Sequence, residues 1–254
     1  MNMRKKLFAL QVSVFLLFIA LWKLVIIIFN FPEFILPSPE TVFLEWISEL
    51  KSGMLLKHTW VTLYETLAGF AIGVLLGLIP GYFVAKSKTA EQTLSPYLVA
   101  AQTAPKIALA PLIVIWFGFG VLSKIVIVAL IVFFPILVNT IVGIRSIDKN
   151  LIDMMKILKA SKMQVFTKVE LPSSLPVLFA AFKTGITLAV IGAVVGEFVG
   201  ANAGLGYLTI YAAGLMDTPK VFASILQLTL LGIFFYLIVD FIESITIFLY
   251  FYHY

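Results

Sequence analysis

The chain has 254 residues, of which 61% are hydrophobic and 12% are charged, and its mean hydropathy is +1.08. This balance lies outside the range of soluble globular domains and predicts an integral membrane protein. The absence of cysteine excludes disulfides, thiol nucleophiles and iron–sulfur ligation, and the two histidines disfavour a zinc or copper site. The net charge of +5 fits basic cytoplasmic loops, so no nucleic-acid partner is expected.

The first predicted element is a membrane span over residues 7–29, which follows Arg4, Lys5 and Lys6. This start resembles a signal peptide, but no small-residue cleavage site follows, so we predict an uncleaved span. Residues 31–53 follow, with Pro37 and Pro39 before an amphipathic run. We predict an interfacial helix here, and anchoring of the helix bundle is favoured over substrate contact as its role.

Further charge-free runs are close to the roughly 20 residues that a helix needs to cross the hydrocarbon core. None shows the alternation expected of barrel strands. The predicted fold class is therefore an all-α integral membrane protein, a single domain over residues 1–254 with six transmembrane helices. The predicted spans cover residues 7–29, 59–84, 97–119, 123–144, 174–196 and 221–250.

The distribution of basic residues predicts the orientation of the chain. With the amino terminus in the cytoplasm, eleven lysines and arginines lie inside, and four lie outside, namely Lys51, Lys57, Lys124 and Lys220. The positive-inside rule therefore predicts that both termini are cytoplasmic. Lys23, Lys106 and Lys183 remain at membrane depth. Lys23 is expected to snorkel toward the outer headgroups, whereas the other two are expected to face protein or water.

The third span contains the stretch "AQTAPKIALAPL", in which Pro105 and Pro111 strain a continuous helix. Such a break is tolerated where protein or a water-filled cavity covers the freed carbonyls, and a pathway lining and a packing kink fit it equally well. For Asn139, a structural hydrogen bond between helices is the favoured alternative. The residues predicted to line a substrate pathway are Gln102, Thr103, Trp116, Asn139 and Glu197.

A charged cytoplasmic segment over residues 146–172 interrupts the apolar chain. Its part "LIDMMKIL" places Leu151, Met154, Met155 and Leu158 on one helical face. Ala160 and Ser161 permit a turn before a second helical run, and a proline opens the next span. We therefore predict an amphipathic helical hairpin that serves as a docking device.

This segment resembles the signature of the membrane permease subunits of binding-protein-dependent ABC importers. That signature reads E-A-A, three residues, G, nine residues, I-x-L-P. The spacing is matched here by Asp153-Met154-Met155, then Lys159, then Val169-Glu170-Leu171-Pro172, with Asp for Glu, two Met for Ala and Lys for Gly. Between about residues 34 and 230, the chain is similar to the nitrate/sulfonate/taurine branch of this family in the stretches "ILPSPETV", "TLYETLAGFAIGVLLGLIPGYFVAKS", "APLIVIWFGFGVLSKIVIVALIVFFPILVNTIVGIRSID" and "GEFVGANAGLGYLTIYA".

The resemblance implies the type I importer permease fold, with a coupling-helix hairpin at residues 146–172 and an outer re-entrant loop at residues 197–218. It implies ATPase-coupling roles for Asp153, Met154, Met155, Leu158, Lys159, Ala160, Ser161, Leu171 and Pro172. Contact with the binding protein is implied for Gly204, Gly206 and Tyr207. A seventh span over residues 198–216 is the alternative for that loop, and its clustered glycines disfavour it.

The resemblance also implies the partners: a cytoplasmic ABC ATPase dimer, an extracytoplasmic substrate-binding protein, and a second permease copy or a similar permease within the lipid membrane. The chain lacks the G-x-x-x-x-G-K-[ST] phosphate-binding loop. ATP and magnesium are therefore expected on the partner ATPase, no cofactor is expected in this chain, and the chain is expected not to be an enzyme.

The stretch "QTAPKIALAPLIVIWFGFG" looks closer to permeases for thiamine-pyrimidine precursors or riboflavin than to those for alkanesulfonates. Glu65 also stands where sulfonate-type permeases often carry a base. An ion-gradient-driven secondary transporter is the main alternative, but the break at Pro105 has no counterpart in the second half of the chain. A membrane-embedded enzyme is disfavoured, because the acidic residues at membrane depth are scattered.

Overall fold

The computed structural model describes residues 3–252, which form helices joined by short connections, with no strand within that range. Residues 1, 2, 253 and 254, the ends of the predicted 1–254 domain, lie outside the described residues. The α-helices are α1 (Met3–Phe29), α2 (Pro39–Lys51), α3 (Met54–Lys86), α4 (Lys88–Thr103), α5 (Ala110–Phe117), α6 (Val121–Arg145), α7 (Lys149–Ile157), α8 (Lys162–Val165), α9 (Leu171–Gly200), α10 (Leu205–Gly214) and α11 (Thr218–Tyr252).

Five helical segments, in α1, α3, α6, α8 to α9, and α11, are long and apolar enough to cross a membrane. A sixth apolar segment is broken into Lys88–Thr103 and Lys106–Phe117, which meet at 74°. This segment corresponds to the span expected at residues 97–119, but its first helix begins at Lys88. The ten residues of α10 rise only about 15 Å, which is too short to cross the membrane. The alternative of a seventh span over residues 198–216 is therefore wrong.

A row of glycines determines how α3 packs against α6. Gly69, Gly73, Gly77 and Gly81 recur every fourth residue and therefore share one face of α3. A Cβ atom added at Gly73 would lie 2.8 Å from Val132 Cβ, and one at Gly77 would lie 2.8 Å from Ile136 Cβ. The two helix backbones thus approach each other more closely than any side chain on this face would allow, as small residues permit in membranes.

The central core lies where α9 packs on α3 and α6. Val128, Val132 and Ile136 of α6 meet Ala189 and neighbouring residues of α9, all of them buried. Buried residues of α10 and α11 belong to the same core, namely Leu205, Leu208, Leu231 and Phe235. By contrast, no residue of the most apolar window of α1 is buried, and its ring contact to the bundle is Trp22 on Phe222.

The predicted interfacial helix is α2, which begins at Pro39 behind the N-cap Ser38. Its Trp46 indole donates to Gln227 Oε1 of α11 at 2.9 Å, and Lys220 of α11 forms an ion pair with Glu49 at 2.8 Å. Burial raises the pKa of the neighbouring Glu45 carboxyl. The structure thus attaches α2 to the start of the last spanning helix.

Candidate coupling and pathway sites

The first helix of residues 146–172, the segment predicted to be cytoplasmic, ends in a Schellman turn. The amide of Ala160 donates to the carbonyl of Met155 at 3.0 Å, and the amide of Lys159 donates to that of Lys156 at 2.9 Å. Lys159 has a φ of 54°, in the left-handed region that favours glycine. The position where the resembled signature has glycine is therefore a turn that needs this backbone conformation.

The second helix of the segment begins at a capping box. Ser161 Oγ accepts from the Gln164 amide at 3.3 Å, and Gln164 Oε1 accepts from the Ser161 amide at 2.7 Å. A π-helical turn over Phe166–Glu170 then leads into α9, with Leu171 and Pro172 at its start. The predicted hairpin is present in the structure, with its turn fixed by backbone and side-chain hydrogen bonds on both sides.

The predicted apolar face of α7 is divided between the interior and the surface. Met155 is buried within the chain, whereas Met154 and Leu158 are 49% and 67% exposed. Ile157, 81% exposed, extends the exposed part. Asp153 lies off this face and pairs with Lys156 at 2.8 Å. Met155 therefore holds α7 against its own chain, and the apolar surface of α7 open to a partner consists of Leu151, Met154, Ile157 and Leu158.

Glu170 attaches the predicted coupling segment, residues 146–172, to the membrane bundle. Its side chain is 2% exposed, accepts from the Tyr82 hydroxyl at 2.9 Å and forms an ion pair with Lys86 of α3. The Tyr82 ring also meets Phe166 edge to face at 5.4 Å. The sequence analysis missed this contact. Its sequence signals were Glu170 as the single acid of residues 157–176 and a Tyr-Lys pair spaced i, i+4 on α3.

A buried polar cluster, with Glu197 at its centre, lies at the end of the bundle opposite α7 and α8; we call it the outer polar cluster after the predicted orientation. Glu197 is 2% exposed and accepts from Thr62 Oγ1 at 2.7 Å and from the backbone amides of Gly206 and Tyr207. His58 Nδ1 accepts from the Gly204 amide at 3.0 Å. The first amides of α10 are therefore satisfied by side chains of α3 and α9, which fix the predicted re-entrant loop.

Two further charged groups complete this outer polar cluster. Glu65 of α3 is 2% exposed, and its Oε2 has no hydrogen-bond partner among the residues that the structure describes. Lys124 is 1% exposed and donates to the carbonyls of Phe119 at 2.7 Å, Gly120 at 3.2 Å and Gly200. Lys124 thus supports the C-terminal end of α9 and supplies positive charge near the two carboxyl groups.

The remaining predicted pathway residues lie around the broken span. Thr103 ends α4 and is exposed, and Trp116 of α5 is 69% exposed. Gln102 lines a cleft of about 120 Å³ between α4 and α6. Asn139 donates to the Pro135 carbonyl, one turn earlier in its own helix, at 2.8 Å. Glu197 lies apart from these residues, in the outer polar cluster, so the five predicted residues do not form one site.

Apolar helices long enough to span a membrane, joined by an amphipathic hairpin, are typical of one class of protein, the membrane-embedded subunit of a transporter. The chain belongs to the family of binding-protein-dependent transport system inner membrane components, whose family model matches residues 73–246. It is thus an ABC importer permease subunit located in the membrane and not an enzyme, which confirms the predicted family, fold class and general function.

Several curated proteins are similar over most of their length. The riboflavin transport system permease protein RibX of Chloroflexus aurantiacus is 43% identical over 91% of this chain and 87% of its own. The formylaminopyrimidine transport permease protein ThiX of Halalkalibacterium halodurans is 36% identical over 91% and 92%. The putative aliphatic sulfonates transport permease protein SsuC of Bacillus subtilis is 35% identical over 84% and 78%.

The fold is also that of solved importer subunits. A chain from an inward-facing structure of the MetNI methionine ABC transporter matches with a TM-score of 0.65 and 23% identity, over 75% of this chain and 95% of that one. A chain of an amino acid ABC transporter solved with histidines matches with a TM-score of 0.57 and 17% identity, over 80% and 97%.

Proposed function

We propose that this permease receives its substrate from an extracytoplasmic binding protein and is driven by a cytoplasmic ABC ATPase dimer that binds the hairpin of α7 and α8. Two copies of the chain form the membrane channel, both termini lie in the cytoplasm, and ATP and magnesium bind to the ATPase. The observation that carries this proposal is the coupling segment, whose hairpin leaves Met154, Ile157 and Leu158 exposed and is held to α3 through Glu170.

For the substrate, we propose riboflavin first and a formylaminopyrimidine second, with aliphatic sulfonates third. The support is the order of identity to the named relatives, which falls from 43% to 36% and 35%. This order of identity agrees with the sequence of the broken span, which looks closer to permeases for riboflavin or thiamine-pyrimidine precursors than to those for sulfonates.

The test is uptake into vesicles that contain the permease, with its ATPase and binding protein supplied. Labelled riboflavin should accumulate when ATP is present on the ATPase side and should continue to do so after an ionophore collapses ion gradients. Uptake that stopped with the ionophore at constant ATP would support the secondary transporter instead. Accumulation of only the formylaminopyrimidine or a sulfonate would reassign the substrate and leave the transport mechanism in place.

A further inference from the structure

The side chain of Lys106 places an ammonium group near the middle of the membrane. Its Nζ lies 4.7 Å from the ring centroid of Phe134, and Phe134 is close to the midpoint of α6, which spans Val121–Arg145. At about 1.5 Å of rise per residue, either end of α6 is roughly 15–20 Å away, about half the thickness of the hydrocarbon core. Headgroup phosphates are therefore out of reach of this ammonium group.

The other lysines at membrane depth differ from Lys106 in their partners. Lys183 pairs with Asp240 at 2.5 Å and with Glu243, and Lys23 pairs with Glu40. Lys106 donates to the Gln102 carbonyl at 2.7 Å, and within residues 3–252 no acidic group forms an ion pair with it. An unneutralised ammonium at this depth is expected to face water or a ligand, because lipid would make its charge very costly.

The helix break gives Lys106 its position. The Lys106 amide donates to the Ala104 carbonyl at 2.8 Å across Pro105, whose φ of −73° and ψ of 78° form an inverse γ-turn. The chain bends by 74° there, which ends α4 at Thr103 and places the lysine on the connecting 3₁₀ turn. Thr103, three residues before Lys106, is exposed at the end of α4. Discontinuous helices at the midplane are a common construction for substrate sites.

We propose that Lys106 is the substrate-contacting cation of the translocation pathway and that it selects substrates bearing an anionic group or a strongly polarised carbonyl oxygen. This inference rests on the proposed function. An ammonium group offers three donors and no acceptor, so oxygen acceptors fit it and cationic groups are repelled. The aromatic ring of Phe134 provides apolar surface beside it for the rest of a small substrate.

The chain contains no cysteine, so a single cysteine introduced at Thr103 can report the charge and the hydration of this site. The backbone of Thr103 directly follows the carbonyl that Lys106 contacts. In vesicles with the assembled transporter, anionic sulfonatoethyl and cationic trimethylammonioethyl methanethiosulfonate compete for that cysteine. One charge about 6 Å away in water changes each rate about threefold in opposite directions, so Lys106→Gln should lower the anion-to-cation rate ratio about tenfold.

Lys106→Arg keeps the charge and should keep the ratio. The same ratio at a cysteine placed at the exposed Ser52, beyond the outer end of the bundle, should not respond to Lys106→Gln. An unchanged ratio at Thr103→Cys, or no labelling there by either reagent, would overturn the proposal, since the lysine would then not face a water-filled pathway. Labelling requires no transport, so this failure is distinct from a lack of ATP-driven uptake by the unaltered protein.

Discussion

At the residue scale, the backbone of Lys159 is strained, because a residue with a Cβ atom adopts a left-handed conformation there. Its left-handed φ of 54° is required by the Schellman turn, and a non-glycine residue there costs about 1 kcal/mol. Lys159→Gly should therefore stabilise the folded protein by about 1 kcal/mol, seen as a higher thermal midpoint in detergent. Lys156→Gly, inside α7, is the matched control and should destabilise by a similar amount. A lower midpoint for Lys159→Gly would contradict this account of the turn.

The second prediction at this scale concerns Glu197 and its hydrogen bonds to α10. In Glu197→Gln, the amide NH₂ would face donors at Thr62, Gly206 or Tyr207, and a buried charge-assisted hydrogen bond is worth about 1.5–3 kcal/mol. Amide hydrogen exchange at the start of α10 should then rise at least about tenfold, and uptake should slow. Glu40→Gln, at an exposed ion pair, is the control and should leave exchange in α10 unchanged. Equal exchange in both variants would mean that Glu197 does not hold α10.

At the element scale, the glycine row of α3 is tested by a single methyl group. The Cβ of Gly73→Ala would lie 2.9 Å from the Ala129 carbonyl oxygen and 2.8 Å from Val132 Cβ, so α3 and α6 must separate. We expect a loss of about 1–3 kcal/mol, as for other overpacked contacts, and a lower thermal midpoint. Gly232→Ala in α11, where nothing lies within 4 Å, should be neutral or slightly stabilising. Similar midpoints for the two variants would argue against close packing of α3 on α6.

The coupling segment provides the second prediction for an element. Leu158→Asp places a charge on the exposed apolar surface of the hairpin and should weaken ATPase binding in a pull-down at least about tenfold, since the charge would be buried without a partner. Lys156→Gln removes only an exposed ion pair and should change binding less than about twofold. A larger loss for Lys156→Gln would show that the ATPase contacts the other face of α7.

The sequence predicted much of this segment and less of its attachment. Spacing and amphipathic period were enough to place two helices and a turn at residues 146–172, and the prolines were enough to locate the break near Pro105. Spacing and period could not show that Met155 is buried and Met154 exposed. A helical period identifies an apolar face but not which part of that face meets the protein's own core. Glu170 and Lys124 were missed as anchors because their partners are distant in sequence, at Lys86 and Gly200.

At the scale of the whole molecule, the orientation of the bundle is open to a direct test. Ser52 follows α2 and Thr167 lies in the coupling segment, and both are exposed. In intact cells, a membrane-impermeant thiol reagent should label Ser52→Cys and leave Thr167→Cys unlabelled, whereas inside-out vesicles should give the reverse. The reverse pattern in intact cells would place the hairpin outside and would remove the basis for its docking to a cytoplasmic ATPase.

The length of α3 has a mechanical consequence. Tyr82 and Lys86 near one end of this helix hold the coupling segment, and His58 and Thr62 near the other end hold α10. About 30 Å of continuous helix separates Tyr82 from Thr62, and the glycine row clamps much of this length to α6. The helix runs unbroken through Pro80, so it connects the two attachment points as one rigid element. A tilt of α3 at the hairpin must therefore displace α10 as well, so motion at the two ends of the bundle is linked by one backbone.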